Sequence, residues 1–139
     1  MGCIYASGQL VTNTSQSPNA LVQNVLLGPG VTVSNIQYNG SPTAIGSFTA
    51  TNTNLGIESG IIMTTGTVIN NDEGPQGPND KDNAGFDNGT PGLNLLSNLV
   101  NGITTYNASI LEFDFVPLAD TVSFNYVFAS EEYPEFVGS

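Results

Sequence analysis

The chain has 139 residues, the length of one ordinary domain, with 39% apolar residues and a formal net charge of −11 from twelve carboxylates against a single cation, Lys81. That balance excludes binding to nucleic acid and to anionic membranes, because both need Lys and Arg to meet phosphates, and no apolar run approaches the ~20 residues that insert across a bilayer. With no histidine and one cysteine, Cys3, the chain also lacks Ser-His-Asp triads, Cys-His dyads, Cys/His zinc sites and intrachain disulfides, so it reads as non-enzymatic.

Charged residues make up only 9% of the chain, so the polar surface must come from Asn, Thr, Ser and Gly, as suits a turn-rich extracellular β protein. Met1 to Gly8 is expected to be the remnant of an export signal or a plain tail, with Ala6 and Gly8 as the small residues before cleavage, and Cys3 incidental to it. Residues 9–139 then form a single domain. Ser17 as N-cap, Pro18 in the first turn and Gly28 at the end predict a short helix over 18–27 with Leu21, Val25 and Leu26 on one face. Val31 to Tyr38 alternates apolar and polar residues across one bulge and stops at Asn39-Gly40, which predicts a strand and a turn. Gly46 to Ala50 and Gly60 to Gly66 are expected strands, the second buried on both faces because of Ile61-Ile62-Met63.

From Asn70 to Gly92 apolar residues nearly vanish, which predicts a long loop of the kind that usually carries function. Leu93, Leu96, Leu99 and Val100 then give helical spacing up to Asn101-Gly102. Leu111, Phe113 and Phe115, then Val122, Phe124, Tyr126 and Phe128, alternate with polar residues on either side of a turn at Pro117 to Asp120, predicting a hairpin. Such strands have one apolar face to bury and need a second layer. The expected fold is therefore mainly β, a β-sandwich or jelly roll with two short helices.

Two acidic segments are candidate cation sites. Asp72, Asp80, Asp82 and Asp87 lie on the long loop among Asn and Gly residues that can turn several oxygens towards one calcium ion. The run is no EF-hand, since Ala84 stands where a ligand is needed and Pro91 where the bidentate Glu belongs. Glu131 and Glu132 are adjacent carboxylates that repel unless a cation or donors separate them. Calcium is thus the one expected cofactor, weighed against a simply solvated acidic surface. As a glycosidase pair the two glutamates fail, because neighbouring residues of an extended chain point to opposite sides. Asn13, Asn88 and Asn107 begin Asn-x-Ser/Thr triplets, which are common in an Asn-rich chain.

The order of motifs resembles the choice-of-anchor L domain family of bacterial exported proteins. The resemblance is carried by residues 31–40, Gly46-Ser-Phe48, residues 55–66, Gly77-Pro-Asn79, Leu111-Glu-Phe-Asp-Phe-Val-Pro117 and Val127-Phe-Ala-Ser-Glu-Glu-Tyr133, and it covers the chain from about Gln9 onwards. It implies a module of secreted or surface-attached proteins and no catalytic activity. In the family pattern another aromatic strand follows the Glu-Glu-Tyr motif, so the domain is expected to be truncated at Ser139.

Together these readings predict an extracellular, non-catalytic surface module for adhesion, an appendage or a matrix, calcium-stabilised, with a protein or glycan partner or a second copy of itself. The competing reading is a carbohydrate-binding module, with Tyr38, Phe86, Tyr106 or Tyr133 stacking on sugar rings. A glycoside hydrolase comes last.

Overall fold

A computed structural model of the protein describes residues 9–28, 30–69 and 86–130. The fold is mainly β, as expected, with two antiparallel sheets and two short helices. The strands are β1 (Gln9–Asn13), β2 (Val31–Asn39), β3 (Ile45–Thr51), β4 (Ser59–Met63) and β5 (Ile110–Pro117), and the helices are α1 (Pro18–Leu21) and α2 (Asn94–Leu99). One sheet has the order β1-β3-β4, and β2 pairs with β5 in the other.

α1 begins as the sequence predicts. The Ser17 hydroxyl accepts the Ala20 N–H at 3.2 Å, and Pro18 occupies the first turn, where its missing N–H costs nothing. The helix widens at once into a π-helical turn over Val22–Leu26, closed by the Leu27 N–H on the Val22 carbonyl. The widening changes which side chains face inward. Leu21 and Val22 are fully buried, while Val25 and Leu26 of the expected apolar face are only half-buried. Ala44, Ile45, Phe48 and Val68 complete the buried apolar set, so the core lies between α1, β3 and the segment after β4.

β2 carries the expected bulge: the register with β5 shifts between Ser34 and Gln37, and Asn35 takes the left-handed conformation that frees the extra residue. In β5, Leu111 and Phe113 turn towards the protein and Glu112 and Asp114 towards solvent, the alternation read from the sequence.

Two expectations need correction, and one strand went unread. β1, for which the sequence analysis makes no assignment, pairs along its whole length with β3, from Gln9 opposite Thr51 to Asn13 opposite Ser47. β4 ends at Met63 and is not buried on both faces: it is an edge strand next to β3, and Met63 is exposed. β5 does not form a hairpin with the aromatic run that follows. It is taken by β2, and residues 121–130 form no strand, although Phe124 meets the Phe115 ring edge-on with centroids 6.0 Å apart.

A hydrogen-bonded chain that starts at Tyr38 runs from the β2-β5 sheet to the start of β3. Tyr38, at the end of β2, donates its hydroxyl proton to the Ser41 carbonyl at 2.8 Å and lies 3.0 Å from the Ser109 hydroxyl, which itself donates to the carbonyl of Ala44 just before β3. Because Leu21 sits at the meeting of α1 with the core and is fully enclosed, Leu21→Ala is expected to destabilise the domain by about 2–5 kcal/mol. Urea denaturation measures this.

Candidate functional site

Of the six residues proposed as calcium ligands, Asp72, Asp80, Asp82, Glu131 and Glu132 lie outside the described residues, as does Tyr133. Asp87 is described, and its carboxylate is part of a turn. Its Oδ1 accepts the Gly89 N–H at 2.8 Å and the Asn107 side-chain amide at 3.0 Å. The Gly89 N–H above all, with help from Asn107, holds the Asp87 carboxyl below the usual carboxylate range. Among the described residues no three His, Cys, Asp or Glu side chains come together as a metal centre.

Asp87 opens a network of neutral side chains that fastens the segment 87–92 to the fold. Asn88 donates to the carbonyls of Thr65 and Gly66 at 2.9 and 2.6 Å, and its oxygen accepts the Thr43 hydroxyl at 3.1 Å. Asn107, in the left-handed conformation, accepts the Thr90 N–H with the side-chain oxygen whose amide partner reaches Asp87. Beyond it, Gly92 donates to the Thr105 carbonyl, and a Cβ on Gly92 would overlap the Thr105 main chain, so only glycine fits. Ser97 and Thr105 exchange hydroxyl contacts at 2.9 Å and tie α2 to the same strip. In the sequence Asn88 stands out only as the end of the acidic run and as a sequon, and Asn107 only as a sequon; their role rests on contacts that no local pattern announces.

What α2 presents is apolar. No residue of the helix is buried. Leu95, Leu96, Leu99, Val100 and Ile103 all face solvent, with Leu99 73% exposed. From Asn88 to Leu111 the sequence contains no charged residue, and none occurs again from Thr121 to Ser130. The second stretch exposes Val122, Phe124, Tyr126, Val127 and Phe128, the last 86% accessible. In a chain of charge −11, two uncharged stretches crowded with exposed Leu, Phe and Tyr are not ordinary solvated surface, which mixes charges with isolated apolar residues.

The aromatic residues considered for sugar stacking divide. Tyr38 is half-buried at the joint between the sheets and committed there by its hydroxyl. Phe86 and Tyr106 are exposed. A cleft of about 230 Å³ beside the β3–β4 turn is lined by Ala50, Asn52, Thr53, Gly56, Ile57 and Glu58 and contains no aromatic ring. It is smaller than the ~300–1,000 Å³ usual for small-molecule sites.

The family model for the choice-of-anchor L domain matches residues 10–139, which is nearly the whole chain. The chain belongs to the choice-of-anchor L domain family. Neither curated proteins nor solved structures give a match. Membership places this choice-of-anchor L domain with exported, surface-associated modules, and none of its described helices is long and apolar enough to cross a membrane.

Because the folded-state pKa of Asp87 is lowered, its carboxylate stabilises the fold above its unfolded value of about 3.9, and this contribution is lost as pH falls through the lower folded-state pKa. Asp87→Asn is therefore expected to make the melting temperature less sensitive to acid between roughly pH 2 and 5 and to leave the neutral-pH slope unchanged. Thermal melts across that range for both proteins check it.

Proposed function

We propose that this choice-of-anchor L domain is a non-catalytic contact module of the cell exterior, serving adhesion, an appendage or a matrix by packing against protein through its uncharged apolar surface. The observation that carries this reading is the exposure of α2 and of Val122 to Phe128 in stretches without charge. Exposed apolar stretches of this kind mark sites of protein interaction, and aromatic residues are the side chains that most often dominate such contacts. The few polar neighbours are Asn, Ser and Thr, which can form hydrogen bonds to a partner without burying a charge.

The chain's own chemistry supports the non-catalytic part. A hydrolase would need a nucleophile with a base beside it or two facing carboxylates, and the sequence has no histidine to act as base. Among the described carboxylates, Asp87 is engaged in a turn and Asp114 accepts the Asn35 amide. Both are structural duties. The exposed rings of Phe86 and Tyr106 give a carbohydrate-binding role its only specific support; the absence of tryptophan from the sequence weakens it.

Replacing Tyr126 and Phe128 together by Ser is expected to lower binding to isolated cell envelopes by about thirtyfold or more, since even one aromatic hot spot carries about 2 kcal/mol or more of an interface. The melting temperature should not fall, because both side chains are exposed. Co-sedimentation of the purified domain with envelopes measures the binding. Unchanged binding by the double variant, or binding that a free oligosaccharide abolishes, would move the function to the sugar reading.

Calcium belongs to the same proposal as a stabiliser of the acidic loop around Asp72, Asp80, Asp82 and Asp87, with Glu131 and Glu132 as further ligands. Support comes from the excess of carboxylates over the single Lys81 and from the loop's Asp/Asn/Gly composition. Calorimetric titration is expected to show saturable binding, and calcium at about 100 times its Kd then adds about 2.7 kcal/mol of stability. A melting curve that chelator leaves unmoved would remove calcium from the account.

A further inference from the structure

Asn-Gly is the dipeptide most prone to spontaneous deamidation, because glycine carries no side chain to shield its main-chain nitrogen. That nitrogen attacks the asparagine Cγ, ammonia leaves, and a five-membered succinimide forms. Water then opens either carbonyl of the ring and gives aspartate or isoaspartate. No oxidant or other reactant is needed. The reaction does require an asparagine side chain free to swing back and a following N–H that is not held elsewhere.

The chain has three such pairs, Asn39-Gly40, Asn88-Gly89 and Asn101-Gly102. In the second, the Asn88 amide is fixed by Thr65, Gly66 and Thr43, and the attacking nitrogen of Gly89 is tied to Asp87 at 2.8 Å. In the third, the Gly102 N–H closes the end of α2 on the Ser97 carbonyl at 2.8 Å. The first pair differs from both. Asn39 is exposed at the last position of β2, and among the described residues neither its side chain nor the Gly40 N–H has a hydrogen-bond partner.

We infer that Asn39 is a site of spontaneous covalent modification in the folded domain, converting to aspartate and isoaspartate while the two other Asn-Gly pairs are protected by the fold. The fold also keeps the reactive pair in place. A Cβ on Gly40 would lie 2.6 Å from the Tyr38 hydroxyl and 3.0 Å from the Ala108 carbonyl, so a shielding side chain cannot be accommodated there without displacing the tyrosine.

The position gives the reaction a structural consequence. Tyr38, whose hydroxyl joins the two sheets through Ser41 and Ser109, is the residue immediately before Asn39. Isoaspartate inserts a methylene into the main chain at that point, and either product adds a carboxylate at a position paired with Ile110, two residues from Glu112. Conversion at Asn39 therefore loosens the joint and increases the negative charge beside it.

The test uses the intact chain, incubated at mildly alkaline pH and physiological temperature, with and without denaturant. Peptide mapping by mass spectrometry, with fragmentation that separates isoaspartate from aspartate, follows each pair over time. The expected result in the folded chain is conversion at Asn39 at least about tenfold faster than at Asn88 and Asn101, which react only through local opening. In denaturant the three rates should converge. Asn39→Gln should remove the fast conversion and the accompanying slow fall in melting temperature. Faster conversion at Asn88 or Asn101 than at Asn39 in the folded chain would overturn the inference, and so would an Asn39 that stays intact when folded but converts in denaturant.

Discussion

The described residues contain no cationic side chain, since Lys81 lies outside them and the sequence has no Arg or His. Links that in most domains could be ion pairs must here be made by neutral amides and hydroxyls. Tyr38 bridges the sheets to Ser41 and Ser109, Asn88 fastens the segment 87–92 to Thr43, Thr65 and Gly66, and Asn107 links Thr90 to Asp87. Each bond is worth only about 0.5–1.5 kcal/mol net, but an unmade one at a buried position costs more. Among the described residues no buried side-chain nitrogen or oxygen lacks a partner. The chain's many Asn, Ser and Thr residues are thus spent inside the fold as well as on its surface.

The same constraint shapes what can be offered to a partner. A domain of net charge −11 repels other acidic surfaces at long range. Close packing against protein is easiest where charge is absent, and the chain leaves two long stretches uncharged, around α2 and after β5. Those stretches are also where exposed Leu, Phe and Tyr are concentrated. Acidic residues elsewhere keep the protein soluble, and the neutral apolar surface remains available for contact.

Much of the fold was legible in the sequence, where a local pattern had a local cause. Ser17-Pro18 announced the start of α1, alternation with one slip announced β2 and its bulge, and Leu111 to Phe115 announced β5. Other features depended on distant partners. Gln9–Asn13 has no clear alternation to read as a strand, and it pairs along the edge that β3 offers. Ile61-Ile62-Met63 looked like a strand buried on both faces, but face burial depends on what packs above and below the sheet, and Ile61 and Ile62 are only half-buried, with Met63 exposed. The run from Val122 to Phe128 has the alternation of a strand but no pairing among the described residues, although β5 is paired with β2 along one edge only. At the candidate site the acidic pattern pointed to Asp87 but not to its duty, a turn closed by the Gly89 N–H and tied to Asn107, 20 residues away in sequence. The exposed apolar surface was read as core, since Leu and Phe spacing shows which residues share a face and not whether that face is covered.

The most direct test of the account is hydrogen–deuterium exchange, by mass spectrometry, on the domain alone and on the domain bound to isolated cell envelopes. The account predicts added protection on binding at residues 93–106 and 121–130, with β3 and β4 protected equally in both states. Protection that leaves those two stretches unchanged and appears instead around the acidic residues 72–87 would contradict it, and would place the contact on the charged loop.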